Sequence, residues 1–166
     1  MNFSDRDENY TLGEQTIYPN NYEYSAVRAF LNGIEYPADD DFTYSSKYKD
    51  NGFLQTAFNE DLKELIKDTE ITTKDCNDTE DKLFILDVSD LENNDNYINT
   101  DTSRIREYTR YANHTFILLK GYGGNGWVLR TPIDLNPWAV KTVDCDGKID
   151  EDATYFYVPA LYLNLQ

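Results

Sequence analysis

The strongest chemical signal in the sequence is the acidic segment at residues 144–152, Asp-Cys-Asp-Gly-Lys-Ile-Asp-Glu-Asp. Its glycine and the apolar residue two positions later resemble part of an EF-hand calcium loop. Aligning Gly147 with the loop glycine places Thr142 at the first ligand and Ala153 where the bidentate glutamate belongs. An EF-hand is therefore excluded, and an Asp-Gly hairpin turn is the favoured interpretation.

A looser calcium site at this turn remains a second interpretation, because oxygen ligands on a flexible turn suit that ion. Its ligands would be Asp144, Asp146 and Asp150, and calcium is the one cofactor that the sequence suggests. The other acidic run, at residues 39–41, is interpreted as solvated loop charge, as such runs usually are.

A glycine-rich segment at residues 121–126 satisfies the spacing G-x-G-x-x-G of dinucleotide-binding loops. That motif needs a helix directly after it, whose N-terminus faces the pyrophosphate. Here Trp127-Val-Leu-Arg-Thr-Pro follows, which has the pattern of a strand, and Pro132 opposes early helix growth. The segment is therefore predicted to be a hairpin loop.

Catalytic constellations are not evident in the sequence. His114 is the only histidine, so an ordinary histidine-based zinc site cannot form, and no elbow motif marks a nucleophile for a triad. Carboxylate pairs for glycoside cleavage are not excluded, but 31 acidic residues make any chosen pair uninformative. No catalytic residue is assigned, and an enzyme remains only a third hypothesis.

Two cysteines, Cys76 and Cys145, lie in polar, turn-like sequence far from one another. They would form a disulfide in an oxidising compartment and remain free thiols inside a cell. Their spacing matches no known framework, so the sequence leaves both alternatives open.

Aromatic residues are abundant, with 14 tyrosines and 8 phenylalanines. Most are interpreted as strand packing, but tyrosine also suits surfaces that contact sugars or proteins. The candidate ligand-binding residues are those in apparent loops: Tyr44, Tyr48, Tyr122 and Trp127.

Composition indicates one folded domain and excludes several partners. The chain has 166 residues, a size at which one core buries about two-thirds of the unfolded surface. The formal charge of −16 repels phosphate backbones and anionic lipid, so nucleic acid is not an expected partner. We also expect no membrane insertion, because no apolar run approaches the roughly 20 residues of a spanning helix. The N-terminus does not read as a signal peptide.

The elements that must position these residues are predicted from capping residues and apolar spacing. Residues 1–21 form an extended lead-in, and residues 22–166 form a single domain. A first helix is capped by Ser25, and its core face consists of Val27, Phe30, Leu31 and Ile34. A second helix is capped by Asn59, and its apolar stripe consists of Leu62, Leu65 and Ile66. Residues 37–52 are a long loop, and a capping box at Ser89 begins a short helix. Strands are predicted at residues 71–73, 82–88, 115–120, 127–132 and 158–165. Helices first and strands later indicate an α+β fold.

An ordered set of segments resembles a bacterial domain of unknown function, DUF6273. The matching segments are SAVRAFLNG (residues 25–33), AFNEDLKELI (57–66), TEDKLFILDV (79–88), TRYA (109–112), WVLRTP (127–132), DG (146–147) and VPALYLNL (158–165). None of these motifs is specific alone, but their shared order is.

The resemblance implies a C-type-lectin-like fold, with two main helices packed on twisted antiparallel sheets and long loops. It also implies a secreted or cell-surface location in bacteria, and it carries no catalytic residues. A non-catalytic binding or adhesion module that recognises glycan or protein through aromatic loops is therefore the first functional hypothesis. A structural or scaffolding domain without a small ligand, or an accessory domain of a carbohydrate-active enzyme, is the alternative.

This sequence departs from the family pattern in two places. Val158 replaces an arginine that usually precedes the proline, so Arg28 or Arg130 is expected to lack a partner. The N-terminal hydrophobic strands are reduced to Thr16-Ile-Tyr, which would leave an open sheet edge and allow an edge-strand dimer. The calcium and sugar motifs of true C-type lectins, E-P-N and W-N-D, are absent as well.

The calcium interpretation makes a direct prediction. If Asp144, Asp146 and Asp150 bind calcium in the folded state alone, millimolar calcium raises the melting temperature by mass action. An Asp146→Asn variant would lose that increase, and magnesium at equal concentration controls for ionic strength. Equal melting curves with calcium and with a chelator would contradict the site.

Overall fold

Short helices and small β-sheets make up the chain, and the computed structural model describes residues 9–35, 48–107, 126–151 and 156–164. The helices of the described residues are α1 (Ala26–Asn32), α2 (Phe53–Ala57), α3 (Glu60–Leu65), α4 (Val88–Glu92) and α5 (Asp101–Arg104). The strands are β1 (Tyr10–Leu12), β2 (Gln15–Ile17), β3 (Thr69–Ile71), β4 (Thr79–Asp81), β5 (Phe84–Ile85), β6 (Trp127–Ile133), β7 (Asn136–Val143), β8 (Ile149–Asp150), β9 (Phe156–Tyr157) and β10 (Pro159–Ala160).

The strands form one four-stranded sheet, in the order β8-β7-β6-β9, and three two-stranded sheets, β1-β2, β10-β5 and β3-β4. All pairs are antiparallel except β6 with β9, where Trp127 pairs in parallel with Phe156. The predicted α+β class with small antiparallel sheets is confirmed. None of the described helices is long and apolar enough to cross a membrane.

Helix α1 begins and ends where its sequence predicts. The Ser25 Oγ accepts a hydrogen bond from the Arg28 amide at 3.1 Å, and Gly33 closes the helix with φ +67°, a conformation that glycine adopts without steric cost. Val27 and Leu31 face the core as predicted, whereas Phe30 is 39% exposed. Its ring instead lies 5.4 Å from that of Tyr48, edge to face.

The second predicted helix is confirmed as α3, but its apolar stripe is not buried. Asn59 caps it by accepting from the Leu62 amide at 2.9 Å. Because the helix has six residues and lies on the surface, Leu62 and Leu65 are 46% and 44% exposed. Among the three stripe residues, only Ile66, at the C-cap, is buried.

The strand predicted at residues 82–88 is wrong in length, because hydrogen bonds to Asn32 interrupt its first residues and helix α4 begins at its last residue. Asn32 accepts from the amides of Lys82 and Leu83 at 3.1 and 3.0 Å and donates to the Leu83 carbonyl at 2.7 Å. These bonds fix a bend, so only Phe84–Ile85 pairs as a strand. The capping box that starts α4 is formed by Asp87 and Asp90, two residues before the predicted cap at Ser89.

Strand β6 divides the core into two clusters, because its side chains alternate between the two faces of the sheet. Trp127 and Leu129 pack with Leu91 and Val143 on one face. Val128 faces a larger cluster that includes Leu31, Leu54, Ile66, Leu83 and Ile85. The residues from Trp127 to Arg130 are all buried, so β6 is the central strand of the domain.

Arg28, which is largely buried, and Arg130, which is buried, connect helices to strands, and each has a carboxylate partner. The Arg28 Nε donates to both oxygens of Asp81 at 2.9 Å, which ties α1 to β4. The Arg130 Nη1 donates to Asp90 Oδ2 at 2.8 Å and to the Ile85 carbonyl at 2.7 Å, which ties β6 to α4 and β5. The expectation that one of these arginines lacks a partner is therefore wrong.

The predicted lead-in is a β-hairpin rather than a simple extended segment. Ile17 is 1% exposed, and the Asn20 side chain donates to the carbonyls of Asn136 and Ala139 at 3.2 and 3.3 Å. The Asn20 amide also donates to the Pro137 carbonyl at 3.1 Å. These bonds seat the β1–β2 hairpin against the start of β7. The strand predicted at residues 115–120 lies outside the described residues.

The Arg28–Asp81 pair predicts a large loss of stability when its buried carboxylate is removed. The Asp81 side chain is fully buried and that of Arg28 is 12% exposed, so Asp81→Asn should lower the free energy of unfolding by about 3–5 kcal/mol. Glu80→Gln, at the exposed neighbouring position, should change it by less than about 0.5 kcal/mol. Urea denaturation of the two variants measures the difference, and similar midpoints would contradict the structural role of the pair.

Candidate functional site

Two of the four candidate aromatic residues, Tyr48 and Trp127, fall within the described residues. Tyr44 and Tyr122 lie outside the described residues, as do His114 and most of the glycine-rich segment. Tyr48 is half-buried against Phe30. Trp127 has no exposed surface, and its Nε1 donates to the Arg104 carbonyl at 2.9 Å. Its ring is part of the core and is not accessible to a ligand.

The acidic turn is a hairpin between β7 and β8, as the Asp-Gly sequence predicts. Asp144 Oδ1 accepts from the amides of Asp146 and Lys148, each at 2.8 Å. Gly147 has φ +84°, and a Cβ there would lie 1.8 Å from the Asp101 carbonyl oxygen, so the turn packs directly on α5. One oxygen of Asp144 is therefore already used by the turn itself.

The proposed calcium ligands contribute differently to this hairpin. Asp150 lies on β8, where its Oδ1 accepts from the Glu151 amide at 2.7 Å, and Asp146 is exposed. Within the described ranges, no three histidine, cysteine or acidic side chains are grouped so that they could hold a metal ion. Calcium binding by Asp144, Asp146 and Asp150 stays a prediction of the sequence.

Both cysteines are free thiols in this structure. Cys76 lies near Pro137 at the start of β7, whereas Cys145 follows the end of that strand. The strand spans roughly 23 Å, far beyond the separation that a disulfide allows. The alternative of free thiols therefore holds in this conformation.

A cleft of about 380 Å³ lies within the described residues. We call it the twin-turn cleft, because two β-turns face one another across it, with central residues Lys74-Asp75 and Asp134-Leu135. Tyr18, next to the end of β2, forms part of a third wall. The volume falls within the range of about 300–1,000 Å³ that is typical of small-molecule sites.

The two turns share a left-handed central residue. The Cys76 amide donates to the Thr73 carbonyl at 3.2 Å, which closes the first turn, and Ile133 pairs with Asn136 to close the second. In each turn the second central residue is left-handed, with φ +60° at Asp75 and φ +63° at Leu135. These are the non-glycine residues with positive φ in the described part of the chain, and both line the same cleft.

The first central residues of the two turns form an ion pair. Lys74 Nζ donates to Asp134 Oδ1, and this hydrogen bond raises the pKa of Lys74 and lowers the pKa of Asp134. Both side chains are more than half exposed, so the pair is accessible to a ligand. A general acid needs a raised pKa, which is the opposite of the shift at Asp134.

The inner wall of the cleft is held by hydrogen bonds within the chain. The Asn20 side-chain amide is committed to the start of β7, and Asn21 Oδ1 accepts from the Tyr24 amide at 3.0 Å. The Cys76 thiol is half-buried, and burial raises its pKa. A nucleophilic thiol needs a lowered pKa, so Cys76 is not activated for covalent chemistry.

A mixture of charged, amide, aromatic and aliphatic side chains on a fixed frame suits recognition of a ligand. Among the described groups of the cleft, the two with shifted pKa values that could act as acid or nucleophile, Asp134 and Cys76, are both shifted away from catalysis. The arrangement is able to bind, and it does not resemble an acid–base or nucleophilic site.

Comparison with known proteins identifies the family. The model of a domain of unknown function, DUF6273, matches residues 5–165, which is nearly the whole chain. This chain belongs to the DUF6273 family. No curated protein and no solved structure matches the chain. The match includes most of the residues predicted as a lead-in to the DUF6273 domain.

Sequence reasoning missed the twin-turn cleft of this DUF6273 domain. Asp134-Leu-Asn-Pro and Lys74-Asp75 have the composition of turns, but nothing in the sequence indicates that they face one another. One local signal was available. A leucine between Asp134 and Asn136 is an unusual residue for the centre of a short hairpin turn, where glycine or asparagine is expected.

The positions of the two thiols of this DUF6273 domain predict unequal reactivity. Cys145 is exposed, while Cys76 is half-buried with a raised pKa, so iodoacetamide should modify Cys145 at least about tenfold faster in the native protein. Intact-mass spectrometry over time, with Cys145→Ser as the single-thiol control, measures both rates. In guanidinium the two rates should become similar. Equal modification rates of the two thiols in the native protein would contradict this prediction. A protein that accepts no iodoacetamide before reduction would also contradict it.

Proposed function

We propose that this DUF6273 domain is a non-catalytic binding or adhesion module of a bacterial secreted or surface protein. It recognises glycan or protein, and the twin-turn cleft is its contact site. The observation that supports the cleft is its backbone strain. Left-handed residues other than glycine cluster at ligand-binding sites, and both examples in the described residues, Asp75 and Leu135, line this cleft.

Binding is preferred to catalysis because of the charge states of the cleft. Asp134 is held ionised by Lys74, and burial keeps the Cys76 thiol protonated at neutral pH. A polar ligand can exchange hydrogen bonds with the exposed Lys74–Asp134 pair at low cost, because solvent screens such surface pairs and they contribute little to folding. The half-exposed ring of Tyr18 adds a face on which a sugar ring or an apolar side chain can pack.

The proposed setting includes a C-type-lectin-like architecture and an extracellular or cell-surface location. This architecture is supported by the short helices and small antiparallel sheets of the described residues. It is also supported by the resemblance of the closing segments of the sequence to C-type-lectin-like domains. The free thiols Cys76 and Cys145 are compatible with this setting, because the two positions are too distant to bridge.

A structural or scaffolding role is the second candidate, and an exposed apolar surface favours it. Leu62, Leu65, Tyr162 and Leu163 are each between 44% and 48% exposed. They lie together, because the Asn164 amide donates to the Leu65 carbonyl at 2.8 Å and the Lys67 amide donates to the Tyr162 carbonyl at 2.9 Å. Such a surface suits contact with another chain, including an edge-strand dimer.

The cleft predicts that Tyr18 contributes to binding and that a matched tyrosine elsewhere does not. On a glycan array and a panel of bacterial and host surface proteins, Tyr18→Ala should weaken each hit about tenfold, a loss of about 1.4 kcal/mol. Tyr97→Ala is the control, because Tyr97 is 98% exposed and does not line the cleft. Isothermal titration of the strongest hit gives the affinities.

The same panel separates the candidates. Alanine at Tyr44, Tyr48 and Tyr122 tests the loop residues that the sequence predicts. Hits that survive Tyr18→Ala unchanged but fail with these variants would move the site away from the cleft. A panel without hits, together with a stable dimer in sedimentation, would favour the scaffolding role.

A further inference from the structure

We infer that Leu135 is the anchor of a protein-docking surface, and that it enters an apolar pocket on a partner whose surrounding surface is basic. This inference deepens the proposed binding function and rests on it. It identifies the partner as a protein and assigns the central contact to the tip of the β6–β7 hairpin.

The backbone of Leu135 carries a local cost that its sequence could easily avoid. Its φ of +63° lies in the left-handed region, where the Cβ of a residue other than glycine crowds the following carbonyl oxygen. The position is the second central residue of a turn, where positive φ makes glycine or asparagine the usual residue. Asp75, at the same position of the facing turn, belongs to a residue type that tolerates this conformation.

The side chain of Leu135 recovers none of this cost within the chain. It is 104% exposed, so all of its apolar surface is in water. A single exposed leucine is ordinary on a protein surface, and a left-handed residue is ordinary in a turn. Leu135 combines a left-handed backbone with a fully exposed apolar side chain, and both features raise the free energy of the folded state. Contact with a partner removes the side chain from water.

The surroundings of Leu135 extend the apolar contact. Tyr18, which lines the same cleft, is 43% exposed. Pro137, at the start of β7 and two residues after Leu135, lines the cleft as well. Tyrosine is enriched at protein interfaces, because it buries a large ring and keeps a polar group available.

The chemistry of this tip favours a protein over a glycan or a membrane. Leucine has no donor, acceptor or aromatic face for a sugar, but its branched side chain fits an apolar pocket. The two turns carry Lys74, Asp75 and Asp134, a net charge of −1, and the whole chain carries −16. This field repels anionic lipid and attracts basic surfaces, which raises the association rate of a basic partner.

A random-peptide phage library, selected on immobilised protein, tests the inference. Enriched peptides should combine lysine or arginine with apolar residues. Synthetic copies should bind Leu135→Asn at least tenfold more weakly in fluorescence anisotropy, and added salt should slow their association. Ile105→Asn is the matched control, because Ile105 is 43% exposed at the end of α5 and does not line the cleft, and its affinity should equal that of the wild type.

Stability gives a readout that does not depend on any ligand. Asparagine accepts positive φ, so Leu135→Asn should raise the melting temperature by roughly 2–4 °C, whereas Ile105→Asn should not. A variant that is more stable and binds more weakly supports an anchor kept for binding. An unchanged or lower melting temperature would show that Leu135 is not strained, and would overturn the inference.

The remaining outcomes distinguish this inference from the proposed function. One outcome is that array ligands bind through Tyr18 but no peptide is selected. This result would support the binding function and would contradict the assignment of a protein partner. Selected peptides that bind Leu135→Asn as tightly as the wild type would overturn the anchor alone. Binding to phosphatidylcholine vesicles that requires Leu135 would reassign the tip to a membrane surface. A protein that binds neither peptides nor glycans would overturn both proposals.

Discussion

The pairing of buried charge is the constraint on which this fold depends. An arginine inside a protein must meet a carboxylate or several carbonyl oxygens, because an uncompensated buried ion costs several kcal/mol. Arg28 meets Asp81, and Arg130 meets Asp90 and the Ile85 carbonyl. Each pair joins a helix to a strand that lies at least 40 residues away. Short helices of four to seven residues have little stability of their own, so these pairs and the core clusters fix their positions.

The same constraint positions the twin-turn cleft. The Arg130 Nη2 lies 3.5 Å from the Thr72 carbonyl oxygen, and its backbone amide donates to the Leu86 carbonyl at 2.9 Å. Thr72 precedes the turn at Lys74-Asp75, and Arg130 precedes the turn at Asp134-Leu135. One buried side chain therefore holds the two segments that end in the facing turns. The exposed Lys74–Asp134 pair follows from that placement and contributes little to it.

Local signals in the sequence predict local structure, such as caps and turns, but they do not predict the twin-turn cleft. The cap at Ser25, the strand β6 and the Asp144–Gly147 hairpin depend on neighbouring residues, and all three were predicted. The length of β5 depends on Asn32, about 50 residues earlier, so periodicity could not indicate it. The cleft joins turns 60 residues apart, and no spacing rule relates them. Trp127 was ambiguous for a similar reason, because a tryptophan after a glycine-rich segment suits either a contact surface or a core.

The structure also sorts the many carboxylates, which the sequence alone could not. Asp81 and Asp90 neutralise buried arginines, and Asp144 holds a turn, so these three are structural. Most other acidic residues within the described ranges lie at the surface, and the whole chain carries a net charge of −16, which opposes the compact state through self-repulsion. Leu135 adds a second cost at the surface, in a strained turn and in full contact with water. Neither the negative charge nor the exposed Leu135 stabilises the fold. An acidic field around an exposed apolar tip does, however, favour binding to a surface that is basic and apolar.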